Sequence, residues 1–82
     1  MDNFNRAKEL LVENPKVEVR GNKEVLVENH KGIIILTDTL VRIKTKIGIL
    51  NIHGSKFNLL FMEGATIVIA GEFVSLDYEG AV

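Results

Sequence analysis

Histidines, serines, carboxylates and lysines supply most chemistry at protein sites, and here they are sparse. His30 and His53 are the only imidazoles. Glu28 precedes His30 by two residues, so an extended backbone would place both on one face. With His53 they could bind a metal only by converging to about 2.0–2.2 Å of one ion, and their spacing matches no metal motif. The plainer reading makes His30 a loop residue and His53 a strand-end residue. A Ser-His-Asp set can be drawn from Ser55 or Ser75, His53 and Asp38 or Asp77. It lacks the G-x-S-x-G elbow, and a serine after Gly54 is ordinary turn chemistry. Neither G-x-x-x-x-G-K-[ST] nor G-x-G-x-x-G occurs, so nucleotide chemistry has no local support. The residues therefore assign no catalytic, cofactor-binding or metal-ligating position, no cofactor is expected, and the expected activity is not enzymatic.

Two stretches suit contact better than catalysis. Arg42, Lys44 and Lys46 alternate with aliphatics, which projects three cations from one face of a strand, with Lys31 near them across a preceding hairpin. A solvated outer face is the ordinary explanation; the alternative is a docking patch for an acidic partner or for lipid headgroups. Nucleic acid fits less well, because single-strand platforms add stacking aromatics to positive charge, and the only tyrosine, Tyr78, lies between Asp77 and Glu79. The second stretch is "FNLLFMEG", residues 57 to 64. Phe57, Leu59 and Phe61 fall on one side of a strand and Leu60 and Met62 on the other, so both faces want apolar surroundings. Either the segment is sandwiched between sheet and helix or it awaits another chain. The candidate interaction surface is thus Arg42, Lys44, Lys46, Phe57, Leu59, Leu60, Phe61 and Met62.

Whatever positions these residues must be small. Eighty-two residues make at most one domain, and a chain of that length buries only about 60–65% of its unfolded surface. Hydrophobic residues are 46% and charged residues 26%, a globular balance. The formal charge of −1 provides no global attraction to nucleic acid or anionic bilayers. Without cysteine there are no disulfides, thiolate nucleophiles or Cys-ligated zinc. The longest stretch without a polar residue, Gly32 to Leu36, falls far short of the roughly 20 residues of a membrane span. "MDNFNRAKELL" lacks the uninterrupted apolar region of a signal peptide, so a cytoplasmic location is expected.

Phe4, Ala7 and Leu11 recur at helical spacing behind a capping Asp2 or Asn3, and Pro15 disfavours helical geometry at Asn14. This predicts one helix from Phe4 to Glu13, within an N-terminal helix and linker over 1–15. At that length it must dock or fray. A single all-β domain is expected over 16–80, because short β-branched runs alternate with Gly, Asn and Asp. The expected strands are Lys16–Arg20, Glu24–Glu28, Ile33–Leu36, Leu40–Thr45, Ile49–His53, Phe57–Met62, Thr66–Ala70 and Glu72–Tyr78. The gaps are too short for parallel crossovers, so the fold predicted is mainly β, a small antiparallel meander forming a sandwich or roll. "VEVRG", "LNIHG" and "IVIAG" each end two spaced aliphatics on glycine. That pattern reads as strands closed by turns or bulges, with a short β-solenoid as the alternative. Val41, Ile43 and Thr45 share one parity while Leu50 and Ile52 share the other, which requires a pivot at Gly48.

Across residues 23 to 79, "VLVENHKGIIILTD", "VRIKTKIGILNIHG" and "IVIAGEFVSLDY" together resemble the YabP/YqfC family of sporulation proteins, specifically its YqfC-like branch. The E-N-H-[RK]-G-I core is the most distinctive part, matched here by Glu28, Asn29, His30 and Gly32. The resemblance implies a protein of endospore-forming bacteria, made in the mother cell, cytoplasmic or peripheral to the membrane around the forespore. It also implies a functional link to a membrane-anchored sporulation protein, and it supplies no catalytic or ligand residues. The function expected is that of a small sporulation protein working by self-assembly into a homo-oligomer or by binding a membrane-associated partner. The alternative is a membrane-surface or ligand-binding module using the basic strand face.

Overall fold

The structure, a computed structural model, describes residues 14–80. Alternating β-branched residues give six strands: β1 (Lys16–Arg20), β2 (Glu24–Glu28), β3 (Gly32–Leu36), β4 (Leu40–Thr45), β5 (Gly48–Glu63) and β6 (Thr66–Glu79). All neighbours pair antiparallel in one open sheet of order β1-β2-β6-β5-β4-β3. The N-terminal helix expected over Phe4–Glu13 lies outside the described residues.

Three expectations are corrected. The segments Ile49–His53 and Phe57–Met62 are one strand, β5, and Thr66–Ala70 and Glu72–Tyr78 are one strand, β6. These two long strands pair along their length, so one hydrogen-bonded ladder runs through the whole molecule. A sandwich or roll, built from separate or closed sheets, and a solenoid of stacked coils are therefore replaced by a single open sheet. Nor is the order a simple meander, since β2 pairs with β6 rather than β3.

Of the three glycines that end paired aliphatics, Gly21 lies in the β1–β2 turn, whereas Gly54 and Gly71 are bends within strands. The β5–β6 register shifts at His53/Gly54, Ser55/Asn58 and Leu59/Phe61. Each such shift inserts unpaired residues, bends the strand and raises its twist. Phe57 sits at the bend, only 6% exposed, between Gly54 and Gly71. A Cβ on Gly54 would stand 2.6 Å from Phe57 Cζ, and one on Gly71 would stand 2.6 Å from Phe57 Cδ1. Both glycines are thus slots that admit the ring. Gly71 also has φ +149°, a conformation essentially reserved for glycine.

Either side of the bend the apolar residues form cross-strand pairs. Val25 and Val27 of β2 face Ile69 and Ile67 of β6; Val41 and Ile43 of β4 face Ile52 and Leu50 of β5. With Phe57 they make the buried core, flanked by Val17, Ile33, Phe73, Leu76 and Tyr78. Each fully buried aliphatic contributes about 1.5–3 kcal/mol relative to exposure. The parity change falls where the sequence requires it: Thr45 pairs with Gly48 across a tight turn, and Thr45 Oγ1 donates to the Gly48 carbonyl at 2.6 Å.

Candidate functional site

The motif residues 28–32 form a corner and not a turn between neighbouring strands, because β2 and β3 are not neighbours. Asn29 adopts φ 64°, a left-handed conformation that Asn tolerates better than most residues, and its side-chain amide donates to the Asn14 carbonyl at 2.9 Å. The His30 N–H donates to Ala65 O at 3.3 Å, holding the corner against the β5–β6 turn. His30 Nδ1 accepts from the Gly32 N–H at 2.9 Å. In the neutral ring the proton then lies on Nε2. That nitrogen is buried and has no hydrogen-bond partner among the described residues. Gly32 has φ +134°, which explains glycine there. Glu28 faces Lys16 of β1. The motif thus serves to carry the chain from β2 to β3.

The second histidine belongs to another cluster. Arg42, Asn51 and Asp77 occupy one row across β4, β5 and β6. Arg42 Nε donates to Asn51 Oδ1 at 3.1 Å, Asn51 Nδ2 donates to Asp77 Oδ1 at 3.0 Å, and His53 Nε2 meets Asp77 Oδ2 at 3.0 Å. The Asn51 amide, with His53, holds the Asp77 carboxyl below its ordinary value. Although His53 meets Asp77, no serine hydroxyl among the described residues donates to it, and Ser55 donates to Glu72 at 3.2 Å instead. Among the described residues, no group of three or more His, Asp or Glu side chains could hold a metal ion.

This network also divides the basic stripe. Arg42 forms an ion pair with Glu79. Lys44 is exposed on β4, and Lys46 is exposed in the β4–β5 turn. The stripe is therefore a mixed-charge polar face around a cross-strand ladder.

The apolar stretch divides as well. Phe57 is core and is not available as surface. Leu59, Leu60, Phe61 and Met62 are between 42 and 56% exposed. Among the described residues they lie where β5 pairs with β6 alone, so the other edge of β5 has no strand partner there. Ile34, Ile35 and Leu36 on edge strand β3 are also exposed. The two edges have common ends. Before β3, the His30 N–H bonds to Ala65 just after β5; beyond β3, Asp38 O accepts from the Phe57 N–H at 3.0 Å and Thr39 O from the Gly54 N–H at 3.1 Å. Thus β3 and residues 57–63 run in opposite directions between two shared anchors, yet they do not pair. Among the described residues the result is an open seam with large apolar side chains on both lips. Sequence reasoning found the β5 lip and did not name the β3 lip, Ile34, Ile35 and Leu36, as surface.

The match to known families covers this whole arrangement. A model of the YabP family matches residues 12–81, a span that includes the corner, the bend and the seam. The chain belongs to the YabP family. Membership points to a small sporulation-related protein. Neither a curated protein nor a solved structure matches the chain. No helix among the described residues is long and apolar enough to cross a membrane.

Proposed function

We propose that this YabP-family protein, of the YqfC-like branch, is a non-enzymatic interaction protein of spore formation that uses the seam between β3 and the second half of β5 to bind another chain. The observation that carries this reading is the coincidence of unpaired strand edges with exposed Leu59, Leu60, Phe61 and Met62. An open edge supplies donors and acceptors for strand addition, and alternate side-chain pockets supply selectivity. The proposed occupant is a second copy of this chain or a membrane-anchored sporulation protein, and the proposed location is the mother-cell cytoplasm, peripheral to the membrane around the forespore where the occupant is the membrane-anchored protein. Arg42 is engaged by Glu79 and Asn51, which favours the apolar seam over the basic face as the contact.

The test is molar mass over a wide concentration range, alone and with the cytoplasmic part of the partner, for wild type and for Leu60→Asp/Phe61→Asp. Association by wild type and its loss in the folded double variant are expected. A wild type that stays monomeric and captures nothing sinks the proposal.

A further inference from the structure

One lip of the seam is complementary to itself. β3 ends the sheet, and among the described residues it pairs with β4 alone. Along its edge run a cation, Lys31, four aliphatics, Ile33 to Leu36, and an anion, Asp38. Both charged residues are exposed, and neither side chain forms an ion pair among the described residues. The fold pins both ends of this strip, since the Lys31 N–H donates to Lys44 O at 2.7 Å and Asp38 O accepts from the Phe57 N–H at 3.0 Å. Turned end for end, the strip matches itself: Lys31 meets Asp38, Ile33 meets Leu36 and Ile34 meets Ile35.

Face parity supports that register. Residues opposite one another in an antiparallel pair share a face, whereas residues three apart in a regular strand point to opposite faces. In β3 the register shifts between Ile33 and Ile35, so that Ile33 opposes Ile43 and Leu36 opposes Val41. Ile43 and Val41 are both buried in the core, so Ile33 and Leu36 share the core-side face despite their spacing. The bulge thus supplies the parity change that pairing Ile33 with Leu36 demands. The other edges lack this match. Along β1, Lys16, Glu18 and Arg20 alternate, and a centred self-pairing would set Glu18 against Glu18. The β5 lip carries two register shifts, at Ser55/Asn58 and Leu59/Phe61, which bend an edge away from flat pairing.

We propose that two copies of the chain associate through antiparallel pairing of β3 with β3, with Lys31 of each copy opposite Asp38 of the other. The inference rests on the seam being a contact surface, and it names a second copy as the occupant. An edge of five residues is short of a standard interface, so the dimer is weak, with a dissociation constant of about 10 μM to 1 mM.

Sedimentation equilibrium of the full chain up to millimolar concentration tests the pairing. Lys31→Asp sets like charges against each other at two symmetric places and should raise the dissociation constant about tenfold. The reversed pair, Lys31→Asp/Asp38→Lys, should return it to within about threefold of wild type. Circular dichroism checks that both variants fold. Because the chain has no cysteine, mixing Lys31→Cys protein with Asp38→Cys protein should give mixed disulfides well above the statistical half, a readout suited to a weak dimer. An unchanged Lys31→Asp, a reversed pair no tighter than the single variant, or a statistical mixture of disulfides overturns the proposal. If Leu60→Asp/Phe61→Asp blocks association while Lys31→Asp does not, the seam remains the contact and the β3 register falls. A wild type that stays monomeric yet captures the membrane-anchored protein leaves the seam reading standing and overturns the pairing of two copies.

Discussion

Replacing Gly54 with alanine puts one methyl group where the long hairpin bends. It would press against the backbone carbonyl oxygen of Glu72, well inside contact distance, and stand 2.6 Å from Phe57 Cζ. The ring could turn aside, but the carbonyl belongs to β6 in the ladder that holds the sheet together. Overpacking of this kind costs about 1–3 kcal/mol, and an obstacle of backbone places Gly54→Ala at the upper end, about 3 kcal/mol. A domain of this size loses about 4–8 °C of Tm per kcal/mol, so the expected drop is about 12–24 °C. Gly71→Ala adds a backbone penalty of about 1–3 kcal/mol for its φ of +149° to the clash with Phe57 Cδ1, and it should be at least as damaging. Gly64→Ala is the control: nothing lies within 4 Å of its Cβ, and only its φ of +57° is unfavourable, at about 1–2 kcal/mol. Urea unfolding followed by far-ultraviolet circular dichroism, at one fixed protein concentration, ranks the three. Combining Phe57→Leu with each glycine variant should recover part of the Gly71→Ala loss and little of the Gly54→Ala loss, because the obstacle at Gly54 is mainly backbone. If Gly54→Ala lies within about 0.5 kcal/mol of wild type with an unchanged m value, the bend is not held by this contact and the reasoning fails.

Two further outcomes follow from the polar residues. Since Asp77 is held below its ordinary value of 3.8 by Asn51 and His53, its contribution to stability is present above that value and fades as pH falls through the lower, folded-state value. The stability difference between wild type and Asp77→Asn, from urea midpoints, should therefore shrink between neutral pH and the acid range below 3.8; a difference that does not change with pH refutes the assignment. At the corner, His30→Ala deprives the Gly32 N–H of its acceptor and should cost about 1–3 kcal/mol, whereas His30→Asn restores an acceptor two residues before that N–H and should cost less. Equal losses in denaturant unfolding would show that ring packing, not the Gly32 bond, accounts for the histidine.

Much of the strand content was legible because period-two alternation has a local cause: successive side chains point to opposite faces. Lys16–Arg20, Glu24–Glu28 and Leu40–Thr45 fall where alternation puts them, and the pivot at Gly48 follows from parity alone. Continuity through Gly54 and Gly71 was not legible, because a glycine ending two aliphatics fits a turn and an in-strand bend equally well. Which it is depends on Phe57, packed against both glycines across the hairpin. The same holds for the site. The apolar excess of residues 57–62 marked a surface, but Phe57 belongs to the core, and Ile34, Ile35 and Leu36, which the expected surface did not include, are exposed. Arg42 looked like one of three open cations until the register placed Asn51 beside it and Glu79 within reach.

The sequence by itself determined the β class, most strand limits and, through the ENHKGI stretch, family membership, since these rest on residue type and short-range spacing. Tertiary structure alone decided that there is one open sheet, that β2 passes β3 to pair with β6, and that two unpaired edges lie between the same anchors. Those features depend on which distant backbone groups exchange hydrogen bonds, and backbone groups are chemically alike at every position of the chain.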